Sequence, residues 1–165
     1  MSSAPDLIQP VIGFRKWRLE DDHLCSPYVR VHWRERVMHA DCHGDRLVSA
    51  LFERRSLEEP HEAPHPLCNC GIYAYYEPQG RPRAIYVRLV WGIVTLRGRI
   101  EAHCNGMRGQ HARVEALASS PEWPATHQRA VERIADRLGI EVVDHTRLKQ
   151  AATEYGEPLP ASLIP

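Results

Sequence analysis

The sequence predicts an α+β domain, a mostly antiparallel sheet over residues 13–118 followed by two helices over residues 120–156. Three observations carry this. Apolar and polar residues alternate at period two through much of residues 84–118, the mark of half-buried strands. Apolar residues recur at helical spacing after Ser120-Pro121. Cysteines and histidines crowd into the irregular stretch between the first strands and the main β run, where a metal would tie loops to the sheet.

Composition sets the frame. A chain of 165 residues is long enough for one domain that buries about two thirds of its unfolded surface. With 21 basic and 21 acidic side chains the formal net charge is zero, which excludes a strongly basic polyanion binder but leaves room for a local basic face. The opening Met-Ser-Ser-Ala-Pro-Asp has no charged segment followed by an apolar one, and no apolar run approaches the roughly 20 residues of a membrane span. Five cysteines, an odd number, without an export signal are expected to be reduced thiols or metal ligands in a cytoplasmic protein with no membrane partner.

In chain order, residues 1–12 form a loose lead-in and residues 13–19 a first strand rich in aromatic and long side chains. Glu20-Asp-Asp-His23 is a polar turn. Tyr28-Val-Arg-Val-His-Trp33 alternates like a half-buried strand, with Cys25 a small packed thiol before it. Residues 37–57 are ambiguous; Val48–Phe52 fits a short strand or helix. Residues 71–76 read as a buried strand, and 77–83 as a Pro/Gly-rich loop.

Ile85–Trp91 is expected to be a strand bent at Gly92, continued by residues 93–104. Val94, Leu96, Gly98, Ile100, Ala102 and Cys104 then share the apolar face, and Thr95, Arg97, Arg99, Glu101 and His103 the polar one. Asn105-Gly106 invites a two-residue hairpin turn, but that register would put Arg113 and Glu115 on the apolar face. A three- or five-residue loop with Gly106 left-handed is expected instead. It sets Ile100 opposite Ala112, Leu96 opposite Ala116, Arg97 opposite Glu115 and Glu101 opposite His111, with Cys104 facing the core.

Ser120-Pro121 supplies a helix start, and Trp123, His127, Ala130/Val131, Ile134 and Leu138 an apolar stripe that ends at Gly139. Residues 140–143 form a short strand. A second helix opens at Asp144 or Thr146 with Leu148, Ala151/Ala152 and Tyr155 on one side, and residues 157–165 make an extended tail.

Chemistry concentrates at His61-Glu-Ala-Pro-His65-Pro-Leu-Cys68-Asn-Cys70-Gly-Ile-Tyr-Ala. Thiolate and imidazole at four corners is what tetrahedral zinc requires. Cys42, His61, Cys68 and Cys70 are the first choice of ligands, with His65 an alternative to His61 and His43 to Cys42. Cys68-x-Cys70 is tighter than the usual spacing of two to four residues between paired zinc cysteines. Four protein ligands would make the zinc structural, stapling loops to the sheet. Small buried thiols beside a turn are the alternative without metal.

Gly71-Ile72-Tyr73 matches the first half of a GIY-YIG nuclease signature, but no Tyr-Ile-Gly follows, so the match is taken as coincidence. Arg97, Arg99, Arg108 and Arg113, with Arg81, Arg83 and Arg88 nearby, could contact phosphates; a solvated sheet face is the plainer account. No phosphate-binding glycine loop, Gly-x-Ser-x-Gly or His-Glu-x-x-His is present.

Gly-Phe-Arg-x-Trp at 13–17, the single Cys42, the cysteine corner at 61–74 and the later Gly-Arg-Ile resemble a family of small uncharacterised proteins of actinobacteria and their phages. The resemblance covers most of residues 13–156. It implies that Cys42, His61, Cys68 and Cys70 belong together, and it brings no activity. The expectation is therefore a single domain acting as a non-enzymatic interaction or regulatory module with structural Zn2+ and a protein partner. Nucleic-acid binding through Arg97, Arg99, Arg108 and Arg113 is one alternative. A zinc hydrolase, in which His61 or His65 leaves coordination open, is the other.

Overall fold

The computed structural model describes residues 9–42, 61–79 and 88–165. His43, Val48–Phe52, Arg81, Arg83 and the start of the Ile85–Trp91 segment lie outside the described residues. In chain order the elements are β1 (Val11–Glu20), β2 (His23–Cys25), β3 (His32–Trp33), β4 (Val37–His39), β5 (Ile72–Tyr75), β6 (Leu89–His103), β7 (Gly106–Ser119), α1 (Ala125–Leu138), β8 (Glu141–Asp144), α2 (Leu148–Ala152) and β9 (Glu157–Pro158). Single 3₁₀ turns occupy His145–Arg147 and Ala161–Leu163.

One long hairpin organises these strands. β1 pairs antiparallel with β6, β6 with β7, β7 with β5, and β5 meets β1 at Phe14 opposite Tyr75. The sheet therefore curls until four strands close a ring. The edge of β7 away from β6 is shared in succession by β5 (opposite 106–109), β4 (opposite 111–113) and, in parallel, β8 (opposite 116–119). β6 is paired on both edges, and both of its faces are covered from Val90 to Leu96, so that run is buried throughout rather than alternating. α1 lays Val131, Ile134 and Ala135 into this core.

The hairpin departs from the sequence reading in an instructive way. Its turn has two residues, but they are Cys104 and Asn105 rather than Asn105-Gly106: His103 stands opposite Gly106, and Cys104 is exposed rather than core-facing. Gly106 is not left-handed; it starts β7. Two bulges absorb the one-residue mismatch between apolar faces that a two-residue turn brings. One extra residue enters β6 between Arg97 and Ile100, where Gly98 takes φ 74°, a conformation glycine adopts at no steric cost. The other is Glu115 in β7, between the pairs Val94–Val114 and Ile93–Ala116. Leu96 consequently faces Ala112, Arg97 faces His111 and Glu101 faces Arg108.

Glu115 is buried, but not unpaired. Thr95 Oγ1 donates to one carboxylate oxygen at 2.7 Å and Arg36 Nη2 to the other at 2.7 Å, so Thr95 is a buried partner rather than a surface residue. A charge inside a sheet is tolerable when it is paired and hydrogen-bonded in this way.

Other boundaries shift for local reasons. Asp21 and Asp22, at φ 45° and 59°, turn β1 tightly into β2. The expected strand from Tyr28 shrinks to His32–Trp33, and Tyr28 is 77% exposed. β5 is half-buried, Ile72 and Ala74 facing in and Tyr73 out. α1 starts after Pro124 rather than at Ser120-Pro121, because a proline disfavours helical backbone in the residue before it. Ser120 instead closes the preceding turn, accepting from the Glu122 and Trp123 amides. Gly139 ends α1 at φ 63° as the spacing predicts. The last residues are not a loose tail: β9 pairs in parallel with Val11–Ile12, and Leu159 is buried. Among the described residues no helix is long and apolar enough to cross a membrane.

Candidate metal centre

The short strands β4 and β5 lie on the same edge of β7, and Cys42, Cys68 and Cys70 flank them in the chain. Cys42 follows β4, whose exit is held by the Ala40 amide on Gln110 O at 2.7 Å. Cys68 and Cys70 lead into β5. Between Cys70 and Ile72 the chain must turn sharply over Arg108. Gly71 does this at φ 121°, where an added Cβ would lie 3.2 Å from both Arg108 Cβ and Pro64 Cβ.

Arg108 forms the floor of this loop. It is 2% exposed. Nη1 donates to the carbonyls of Cys68 and Cys70, Nη2 to the carbonyl of His65 (3.1 Å) and to Glu101 Oε2 (2.6 Å). One guanidinium thus fixes three backbone oxygens around the cysteines, with Glu101 balancing its charge. The sequence reading put Arg108 on an exposed polar sheet face, solvated or phosphate-binding, and burial removes it from that face. Its role was readable only with the two-residue turn at Cys104-Asn105, which sets it opposite Glu101.

Above this floor Cys42, His61, Cys68 and Cys70 converge, one ligand atom of each lying within 4.8 Å of all the others. Cys42 Sγ is 3.7 Å from Cys68 Sγ, far beyond a disulfide bond of about 2.05 Å. Cys70 Sγ is 3.4 Å from His61 Nε2. A tetrahedral ion with metal–sulfur bonds of about 2.3 Å and metal–nitrogen bonds of about 2.0 Å has S–S edges of about 3.8 Å and S–N edges of about 3.5 Å. The four atoms form a group that could hold a metal ion.

Their electrostatics match a crowded thiol cluster. Burial pushes the Cys68 thiol up, but the Cys70 backbone N–H, His61 and the neighbouring thiols outweigh it and bring Cys68 down to about 7. Burial, with Cys68 adding to it, pushes Cys70 up to about 12. One thiolate is accommodated at the expense of the next, the conflict a divalent cation would relieve.

His65 stays outside the group. Its ring lies 4.9 Å from that of His61, and its Nδ1 accepts from the Leu67 amide at 3.2 Å. The other arginines do not form one surface with Arg108. Arg97 is exposed, the Arg99 side chain reaches Glu62 at 3.7 Å, and Arg113 lies 3.7 Å from the Glu115 carboxylate. No family model matches the sequence, and neither a curated protein nor a solved structure matches the chain.

Proposed function

We propose that this chain is a non-enzymatic interaction module in which one structural Zn2+, held by Cys42, His61, Cys68 and Cys70, secures the surface that meets a protein partner. The observation that carries the reading is the closed set of four ligand atoms within 4.8 Å of one another. Three sulfurs and one imidazole satisfy zinc without water, whereas a hydrolytic centre needs an open position. The partner surface is supported by Leu67, 62% exposed inside the ligand loop, and by Tyr73, 45% exposed on the outer face of β5. Large side chains with apolar surface held out on the ligand loop and on β5 beside it suit protein recognition.

Cobalt substitution tests the metal part. The Co2+ protein is expected to show a tetrahedral spectrum of three thiolates and one imidazole, unchanged by added small anions. A spectrum that shifts with such anions would mean an open site and favour the hydrolase. For the partner, Leu67→Asp with Tyr73→Asp should abolish affinity capture of the bound protein while leaving metal content intact; unchanged capture would sink the assignment of that surface.

Nucleic-acid binding is the second reading, favoured by the exposure of Arg97 and Arg99 on one stretch of β6. It predicts an affinity that falls steeply with salt and drops further in the Arg97→Ala, Arg99→Ala double variant. Binding that survives both tests would exclude this face.

A further inference from the structure

A second group of metal-ligand side chains lies at the other end of β1, apart from the cysteine corner. Glu20, Cys25 and His32 each bring one ligand atom to within 4.8 Å of the other two. Strand register explains the gathering. Cys25 stands opposite Arg18 on β1 and opposite His32 on β3, so the three share one face of the β1–β2–β3 meander. Glu20 is two residues beyond Arg18 and therefore on that face too.

Donor types and depth are those of an open metal site. The Cys25 side is fully buried and forms the floor, while the Glu20 and His32 side chains are 39% and 42% exposed and form the rim. Glu20 Oε2 lies 3.4 Å from His32 Nε2, close to the edge of about 3.3 Å expected between O and N ligands of a tetrahedral ion. The His23 ring stacks on that of His32 at 6.1 Å, restricting its orientation, and His23 Nδ1 is engaged with Asp21 O at 2.7 Å.

A cation already stands at this position. Arg18 Nη2 is 2.8 Å from Glu20 Oε1 and 3.6 Å from Cys25 Sγ. Its side chain is 32% exposed, so it can leave toward solvent without crossing the core.

We propose that Glu20, Cys25 and His32 form a second, open-coordinate site for a thiophilic divalent ion of the Zn2+ class, and that Arg18 is the resident counter-cation which loading displaces. On binding, the Cys25 thiol gives its proton to water and becomes a thiolate ligand. The charges of Glu20 and Cys25 then balance the ion, and the guanidinium loses its partners. Three protein ligands leave one position for water or an incoming donor. This site should therefore be weaker and more exchangeable than a closed four-ligand centre. The proposal does not depend on what occupies the cysteine corner.

The test is a Co2+ titration of the metal-free full chain, following equivalents bound and thiolate-to-cobalt absorption. Two equivalents are expected. The weaker one should be lost in Glu20→Gln and in His32→Ala, both half-exposed positions where the fold tolerates change, and retained in Cys68→Ser/Cys70→Ser. Arg18→Gln should tighten the weaker equivalent by about tenfold, because no guanidinium competes for the carboxylate. One equivalent that Cys68→Ser/Cys70→Ser abolishes would overturn the second site and leave the first standing. One equivalent that only Glu20→Gln and His32→Ala abolish would do the reverse. A second equivalent indifferent to Glu20, His32 and Arg18 would equally refute the proposal.

Discussion

β6 and β7 pair along almost their whole length and bury Ile93, Val94, Leu96, Val114, Ala116 and Leu117 against β1 and α1. β4 and β5, on the far edge of β7, supply only three and four residues, and of these only Ile72 and Ala74 are buried. The hairpin holds through apolar area. The outer edge lacks that area, and its position depends on polar and ligand atoms: the Arg108 fork below and the Cys/His group above. Short strands on an edge are marginal without such help. The comparison teaches that the two regions should fail separately, under different insults.

The largest effect should come from the hairpin core. Leu96→Ala, at a fully buried position, should lower global stability by about 3–4 kcal/mol in denaturant unfolding, with or without a chelator present. A chelator-dependent loss would blur the distinction between the regions. Arg108→Ala should cost about 3 kcal/mol, since it strands a largely buried Glu101 carboxylate and frees three loop carbonyls. Unlike the Leu96 change, it should also weaken metal binding. Lysine at this position should rescue the charge but not the fork, restoring stability more than affinity.

Gly71→Ala should be smaller, about 2 kcal/mol, through strained backbone at φ 121° and crowding against Arg108 and Pro64. Its loss should appear at β5 amides and spare those of the β6–β7 pairing.

Acid should give the smallest effect and act on both regions. Burial holds His127 on α1 below the ordinary imidazole value, with the nearby Arg88 charge opposing protonation and a hydrogen bond to the Leu89 backbone working the other way. Burial and the neighbouring His39 hold His111 on β7 low as well. The unfolded chain therefore takes up protons first. Stability is complete above the unfolded value of about 6.5 and is lost as pH falls through the lower native values. Urea midpoints at about pH 7.5 and about pH 5.5 should show this fall. His127→Gln should flatten it for global unfolding, and His111→Gln for opening of the β4 edge.

Much of the frame was legible in residue patterns. The aromatic and long side chains along Gly13–Leu19, the Gly139 stop and the gathering of Cys42 with the Cys68/Cys70 corner rest on local composition, spacing or donor chemistry. The hairpin register did not, because a bulge changes which residues face each other without marking the local pattern. Glu115 looks misplaced until Arg36, 79 residues earlier in the chain, arrives to pair with it. Arg108 reads as a surface cation for the same reason: its partners are backbone oxygens of a loop some 40 residues away. The pairing of β9 with β1 joins the two ends of the described chain, and no nearby residue announces it.

The central claim is that a bound metal holds the β4/β5 edge and little else. Native-state hydrogen exchange of the zinc-loaded protein, before and after chelation, tests it most directly. The account predicts that amides of Met38, His39, Ile72 and Ala74 lose protection on chelation while those of Val94, Leu96, Val114 and Ala116 keep theirs. Unchanged protection at β4 and β5, or equal loss across the hairpin, would contradict it.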